Sequence, residues 1–308
     1  MTIGVARRPR RGVSLADVVV VLFLVGVVFL FIIMGMTRAR ESARLTICQR
    51  NLAQIGQALT YYDGAFRGLP TVSLPVAANE PMDKAPPGPL KTMLAALGVA
   101  DFIGINVEMK NLPELHAPTP EGSVPVAGFF CPNDVEALAR RFSSPVSYRA
   151  SVGSDLGGTD GAFAVGRGAT LKEVERRDGL SFTAAFAERL LGDGGRERSR
   201  QNYVVVDHVG SGESASGAAG SWRGDAGSTW IPADFRYTLY THAQRPWANV
   251  SQVATDGRTS DMSASSSHVA GLNLLMLDGS ARVVTPSIAP EVWRAYGSIG
   301  PEPTAPEN

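Results

Sequence analysis

The sequence predicts an α+β chain: a long N-terminal helix, transmembrane in its first half, packed through its second half on the antiparallel β-sheet of a globular head. Three observations carry this expectation. Residues 18–36 form an apolar run without a charge, and residues 37–62 continue a helical pattern in polar company. The remainder is rich in Gly, Pro and Ser, with short β-type runs between turn signals.

The N-terminus comes first. Arg7, Arg8, Arg10 and Arg11 precede Gly12, and Val13-Ser14-Leu15-Ala16-Asp17 opens the apolar run. An ordinary secretory signal places its apolar region before the cut. Here the basic leader, residues 1–12, ends in Gly12 ahead of the apolar segment. A cut after Gly12 leaves the transmembrane segment, residues 13–36, on the mature protein, with Val13 as its new amino terminus; an uncleaved signal anchor is the competing reading. At about 1.5 Å per residue, residues 18–36 cover roughly 28 Å, close to the thickness of a bilayer core. The arginines place the N-terminus in the cytoplasm, so the chain crosses the inner membrane once and its C-terminal part lies in the periplasm or on the cell surface. Asp17 sits near the interface, where a charge costs less than at the bilayer centre. It either caps the helix among head groups or pairs with a processed amine.

Residues 37–62 contain no Pro and a single Gly, Gly56. Ala43, Ile47, Leu52, Ile55 and Leu59 recur at three- to five-residue steps, an approximate amphipathic stripe. Asp63-Gly64 is the expected stop.

Residues 63–300 are long enough for one sizeable core or two small ones. β-type runs occur at residues 161–165, 203–207 and 272–277. The last meets Asp278-Gly279 and then residues 281–285, a hairpin signal. Short helices are expected at residues 90–97, 134–141, 182–191 and 290–295. Residues 74–88 and 209–229 read as loops, and residues 301–308 as a disordered tail.

The chain carries 29 basic and 29 acidic residues, with no basic stripe interleaved with aromatics beyond the membrane entry. Nucleic acid is therefore not an expected partner, and the lipid bilayer is. Cys48 and Cys131 are the only cysteines. Outside the cytoplasm they either form a disulfide or pack as two buried thiols. No nucleophile elbow, Walker loop, dinucleotide fingerprint or zinc-protease helix occurs. The histidines His116, His208, His242 and His268 are far apart, with no pair at ligand spacing, so no metal site and no cofactor is expected. His268 could build a triad or metal site with Asp207 or Asp261, or tie a loop to a strand. Asp155, Asp160 and Asp178, each near glycine, suit turns or a calcium loop.

The run Gly12-Val13-Ser14-Leu15-Ala16-Asp17 resembles the class III signal of type IV prepilins and type II secretion pseudopilins, with Val13 for the usual Phe and Asp17 for the usual Glu. The resemblance implies a pilin-like fold, cleavage by a prepilin peptidase, methylation at Val13, and a carboxylate that neutralises a neighbouring subunit's amine. Cys48-Gln49-Arg50-Asn51-Leu52-Ala53-Gln54-Ile55-Gly56 is similar to a helix of the DUF1559 group of prepilin-like proteins. Further matches to that group follow in order: Phe130-Cys131-Pro132-Asn133-Asp134, Ser147-Tyr148, Asp178-Gly179-Leu180-Ser181-Phe182-Thr183 with Glu188 after it, and His268 through Gly271 and Asn273 to Asp278-Gly279-Ser280. Phe182 and Ala270 depart from the group's pattern. Asp178, Gly179, His268, Gly271, Asp278 and Gly279 carry the motifs without an assigned role. The resemblance implies a non-enzymatic pilin- or pseudopilin-like subunit that meets like subunits through its N-terminal helix. A monomeric anchored binding or envelope protein is the alternative, and a hydrolase using His268 a third.

Overall fold

The computed structural model describes residues 15–75, 85–97, 126–135, 142, 144–210 and 220–300. The leader with Gly12 and Val13, His116 and the tail 301–308 lie outside them. The chain divides into two compact units, one up to Ala43 and the other from Arg44 onward.

Helix α1 runs from Leu15 to Phe66. In the first unit its apolar side chains, among them Phe23, Leu24, Phe29, Leu30 and Phe31, are exposed. Side chains of this kind around a whole helix find no stable home in water, and the segment is long and apolar enough to cross a membrane.

In the second unit α1 buries one stripe: Cys48, Leu52, Ile55 and Leu59, at steps of four, three and four. The expected stripe shared three of these positions. Ala43 and Ile47 are exposed, and Cys48 takes the place of Ile47. Each buried Leu or Ile contributes about 1.5–3 kcal/mol. Gly64 does not end the helix. Arg67 does so, at φ 56° in the left-handed region, with its N–H on the carbonyl of Asp63 at 2.7 Å.

Among the described residues the head holds two sheets. The larger has the strand order β5-β1-β2-β7-β8, built from Leu239–Tyr240, Tyr148–Ser151, Ala184–Glu188, Leu272–Met276 and Ala281–Val284. Its β1–β2, β2–β7 and β7–β8 ladders are antiparallel, whereas β5 joins β1 in parallel, so the sheet is mixed. The smaller sheet, β4-β3-β6, uses Ser221–Arg223, Tyr203–Val206 and Gln252–Ala254, with β3 and β6 parallel. Strand β4 lies inside the expected loop 209–229, of which residues 211–219 are outside the described set.

Among the described residues there are four further helices: α2 (Pro89–Leu97), α3 (Pro132–Val135), α4 (Leu171–Arg177) and α5 (Pro290–Gly297), with a 3-10 turn at Ala127–Phe129. Helix α4 was not expected, although Thr170 caps it by accepting from the Glu173 N–H at 3.0 Å. Two expectations fail outright. Residues 182–191 form no helix; Ala184–Glu188 is a central strand with every residue buried, because the sheet needs a strand there and helix propensity is the weaker force. Residues 161–165 are turns: a bridge pairs Val165 with Val72, and the Gly161 and Phe163 N–H groups donate to the Val152 and Ser151 carbonyls without forming a ladder.

Helix α1 meets the β7–β8 hairpin closely. A Cβ on Gly56 would stand 3.0 Å from the Gly279 Cα and 3.2 Å from the Leu275 Cδ1. The expected hairpin is in place, with Gly279 at φ 84° in its turn. At the C-terminus, Trp293 of α5 stacks on His242 at 4.0 Å between ring centroids.

Candidate functional site

The two cysteines, far apart in sequence, are brought together. Cys48 on α1, Cys131 just before α3, Glu188 at the end of β2 and His268 ahead of β7 place their donor atoms within 4.8 Å of one another, and all four residues are buried. The His268 Nε2 lies 3.2 Å from Cys131 Sγ, 3.3 Å from Cys48 Sγ and 3.8 Å from Glu188 Oε1. Both cysteines are free thiols.

Neighbouring groups fix the orientations. The Arg44 guanidinium donates to Asn133 Oδ1 at 3.0 Å, which turns the Asn133 Nδ2 toward His268 Nδ1 at 3.2 Å. An amide nitrogen only donates, so Nδ1 accepts and the imidazole proton sits on Nε2, facing the two sulfurs. Glu188 accepts from the Asn273 backbone N–H through Oε2 and from the Asn273 side chain through Oε1, both at 2.9 Å. Asn51 of α1 donates to the Tyr148 hydroxyl at 3.4 Å. Contact with the Cys48 thiol, then burial, push the Cys131 thiol above its usual range, while His268 works against them.

A second polar group supports the first. Asp134 accepts from the Ser147 hydroxyl at 2.9 Å and from the Leu191 N–H at 2.8 Å, which holds α3 against β1 and the end of β2. Burial pushes the Asp134 carboxyl up to about 6. Arg189 donates to the Ser265 hydroxyl at 2.9 Å and to the Arg200 carbonyl at 2.7 Å. This ties the strand that carries Glu188 to the segment that carries His268.

The other motif residues build turns. Asp178 caps α4, and Gly179 follows at φ 88°; both N–H groups donate to the Val174 carbonyl at 3.0 Å. Asp278 accepts from the Ser280 N–H at 2.8 Å and from the Ser181 hydroxyl at 2.7 Å, so the two Asp-Gly turns are joined. Gly271 has φ 139°, and a Cβ there would strike the Val284 carbonyl at 2.2 Å. Asp155 and Asp160 serve their own turns by accepting from the Thr159 and Ser154 N–H groups. Asp261 is bound to Gln244 and Gln252, and Asp207 to Thr255, whereas the cysteines, Asn133 and Glu188 surround the His268 ring.

The sequence motifs name all four residues, but the metal site considered for His268 paired it with Asp207 or Asp261, and Glu188 was given no role. Ligand spacing could not reveal the group, because each member comes from a different segment. A subtler signal was present: Cys48, Cys131, Tyr148, Glu188 and His268 each belong to a different quoted motif. All five meet at this one place.

A family model described as a protein of unknown function (DUF1559) matches residues 37–291. Neither a curated protein nor a solved structure matches the chain.

Proposed function

The chain belongs to the DUF1559 family, and from that premise we propose that it is a membrane-anchored, prepilin-like surface protein that acts as a pilin- or pseudopilin-like structural subunit. A prepilin peptidase cuts it after Gly12, and Val13 is then methylated. The segment from Val13 to Met36 stays in the inner membrane, with the N-terminus cytoplasmic and the head on the periplasmic or cell-surface side. Like subunits meet through this helix. The head does no chemistry of its own.

One observation carries the reading. The apolar half of α1 has none of its membrane-length window buried against the rest of the chain, and its one described charge, Asp17, stands at the start. That surface needs lipid or other helices around it. Asp17 would then lie near the amine of Val13, in its own chain or in the next. A hydrolase reading has less support, since His268 is buried among two thiols, an amide and a carboxylate.

The test combines two readouts on full-length protein in cells. Protease added to spheroplasts should digest the head without lysis, and photoreactive side chains placed along residues 18–36 should yield subunit-to-subunit products. A head protected until lysis contradicts the orientation. Crosslinks to lipid alone contradict assembly and leave the anchored monomer.

A further inference from the structure

We propose that Cys48, Cys131, Glu188 and His268 form a zinc site that clips helix α1 to the head. Two thiolates, one imidazole nitrogen and one carboxylate oxygen are a donor set that suits a tetrahedral Zn(II) centre.

The distances fit. With Zn–S near 2.3 Å and Zn–N and Zn–O near 2.0 Å, a tetrahedron places sulfur about 3.6 Å from nitrogen, and nitrogen about 3.3 Å from oxygen. The corresponding separations are 3.2, 3.3 and 3.8 Å. An ion therefore enters by shifts of a few tenths of an ångström. A narrow crevice lined by Cys131, Asp134, Ser147, Glu188 and the serines 265–267 adjoins the group.

The surroundings are those of a built site. Both Glu188 oxygens accept hydrogen bonds from Asn273, which leaves further lone pairs for a metal and fixes the carboxylate plane. Binding releases two protons, one from each thiol, to solvent. The His268 proton moves from Nε2 to Nδ1 as Nε2 takes the metal. The Asn133 amide then turns over, so that its oxygen accepts from Nδ1–H, and the half-buried Arg44 guanidinium gives up its bond to that oxygen for solvent. The four ligands come from four distant segments, so one ion would join α1, α3, the central strand β2 and the loop before β7. The role is structural: four protein donors close the coordination sphere and leave no position for substrate. It also excludes a Cys48–Cys131 disulfide, because the same sulfurs cannot do both.

The experiment uses the full chain purified in detergent. Metal analysis should find one zinc per chain. Replacement by cobalt should give the thiolate charge-transfer band and the intense visible bands of a tetrahedral centre. Cys131→Ser and His268→Gln should lose the metal. Asn133→Ala, which leaves all four ligands in place, should bind zinc about 10-fold more weakly. If the ligand variants fail to fold, the wild-type protein still decides: chelator should lower its thermal midpoint and zinc should restore it. A Cys48–Cys131 disulfide in the purified protein, two free thiols that take up neither zinc nor cobalt, or full metal content in Cys131→Ser would each overturn the proposal.

Discussion

Replacing Gly56 and Gly64 by alanine, one at a time, should move stability in opposite directions, although both glycines lie in helix α1. In a helix interior, alanine is about 1 kcal/mol better than glycine. Gly64 has no atom within 4 Å of the added methyl, so Gly64→Ala should gain about 0.5–1 kcal/mol. At Gly56 the methyl would sit 3.0 Å from the Gly279 Cα and 3.2 Å from the Leu275 Cδ1. Neither neighbour yields easily. Gly279 is held in a turn at φ 84°, and Leu275 is fully buried in β7. Overpacking of this kind costs about 1–3 kcal/mol. After the helical gain, Gly56→Ala should lose up to about 2 kcal/mol. Urea unfolding of the full chain in detergent, followed by tryptophan fluorescence, reads the difference, since Trp230 and Trp293 are buried in the head. If Gly56→Ala proves as stabilising as Gly64→Ala, helix α1 does not pack on the hairpin as described.

Two further outcomes concern the C-terminal helix and acid stability. Gly297→Ala should destabilise the head by about 1–3 kcal/mol in the same assay, because its methyl would meet the His242 ring at 2.5 Å. That ring cannot turn away: its Nδ1–H donates to the Trp293 carbonyl at 2.7 Å, and its Nε2 accepts from the Tyr240 hydroxyl at 2.8 Å. A neutral Gly297→Ala would mean that α5 is loosely docked. Burial, opposed by the Trp293 carbonyl, pushes the His242 imidazole down to about 3. Its contribution is present above the unfolded value near 6.5 and is lost as pH falls toward 3. Asp261 works the other way: burial, opposed by the Gln252 N–H, pushes its carboxyl up to about 7, so its contribution is present below about 4 and is lost as pH rises through 7. Stability measured from pH 6.5 to 4.5 should therefore rise for His242→Gln relative to the wild type, and fall for Asp261→Asn. Parallel curves for all three proteins would refute both assignments.

How much of this was legible in the sequence depends on the range of the interaction involved. The apolar run, the continuation of α1, the Asp278-Gly279 hairpin, α2 and α5 are local, and periodicity or turn chemistry reveals them. Ala184–Glu188 was misread as helix because Ala-Ala-Phe-Ala-Glu carries helix propensity. Its strand form comes from the partners β1 and β7, which lie far away in sequence. Residues 161–165 show the reverse, an apolar run without a ladder partner for most of its length. The expected α1 stripe passes through Ile47, but the neighbouring Cys48 is the buried position, because a cysteine packs as a small hydrophobe facing the head. The cluster itself was legible only as separate motifs. Nothing in a linear spacing places Glu188 opposite His268; the sheet order does.

The central claim is that a basic leader is removed at Gly12 while the apolar helix remains as the anchor. The amino-terminal sequence of protein extracted from the membrane fraction of cells tests it most directly. The account predicts a chain that begins at Val13 and retains residues 13–36. A chain that begins at Met1, or one that begins beyond residue 36, contradicts it.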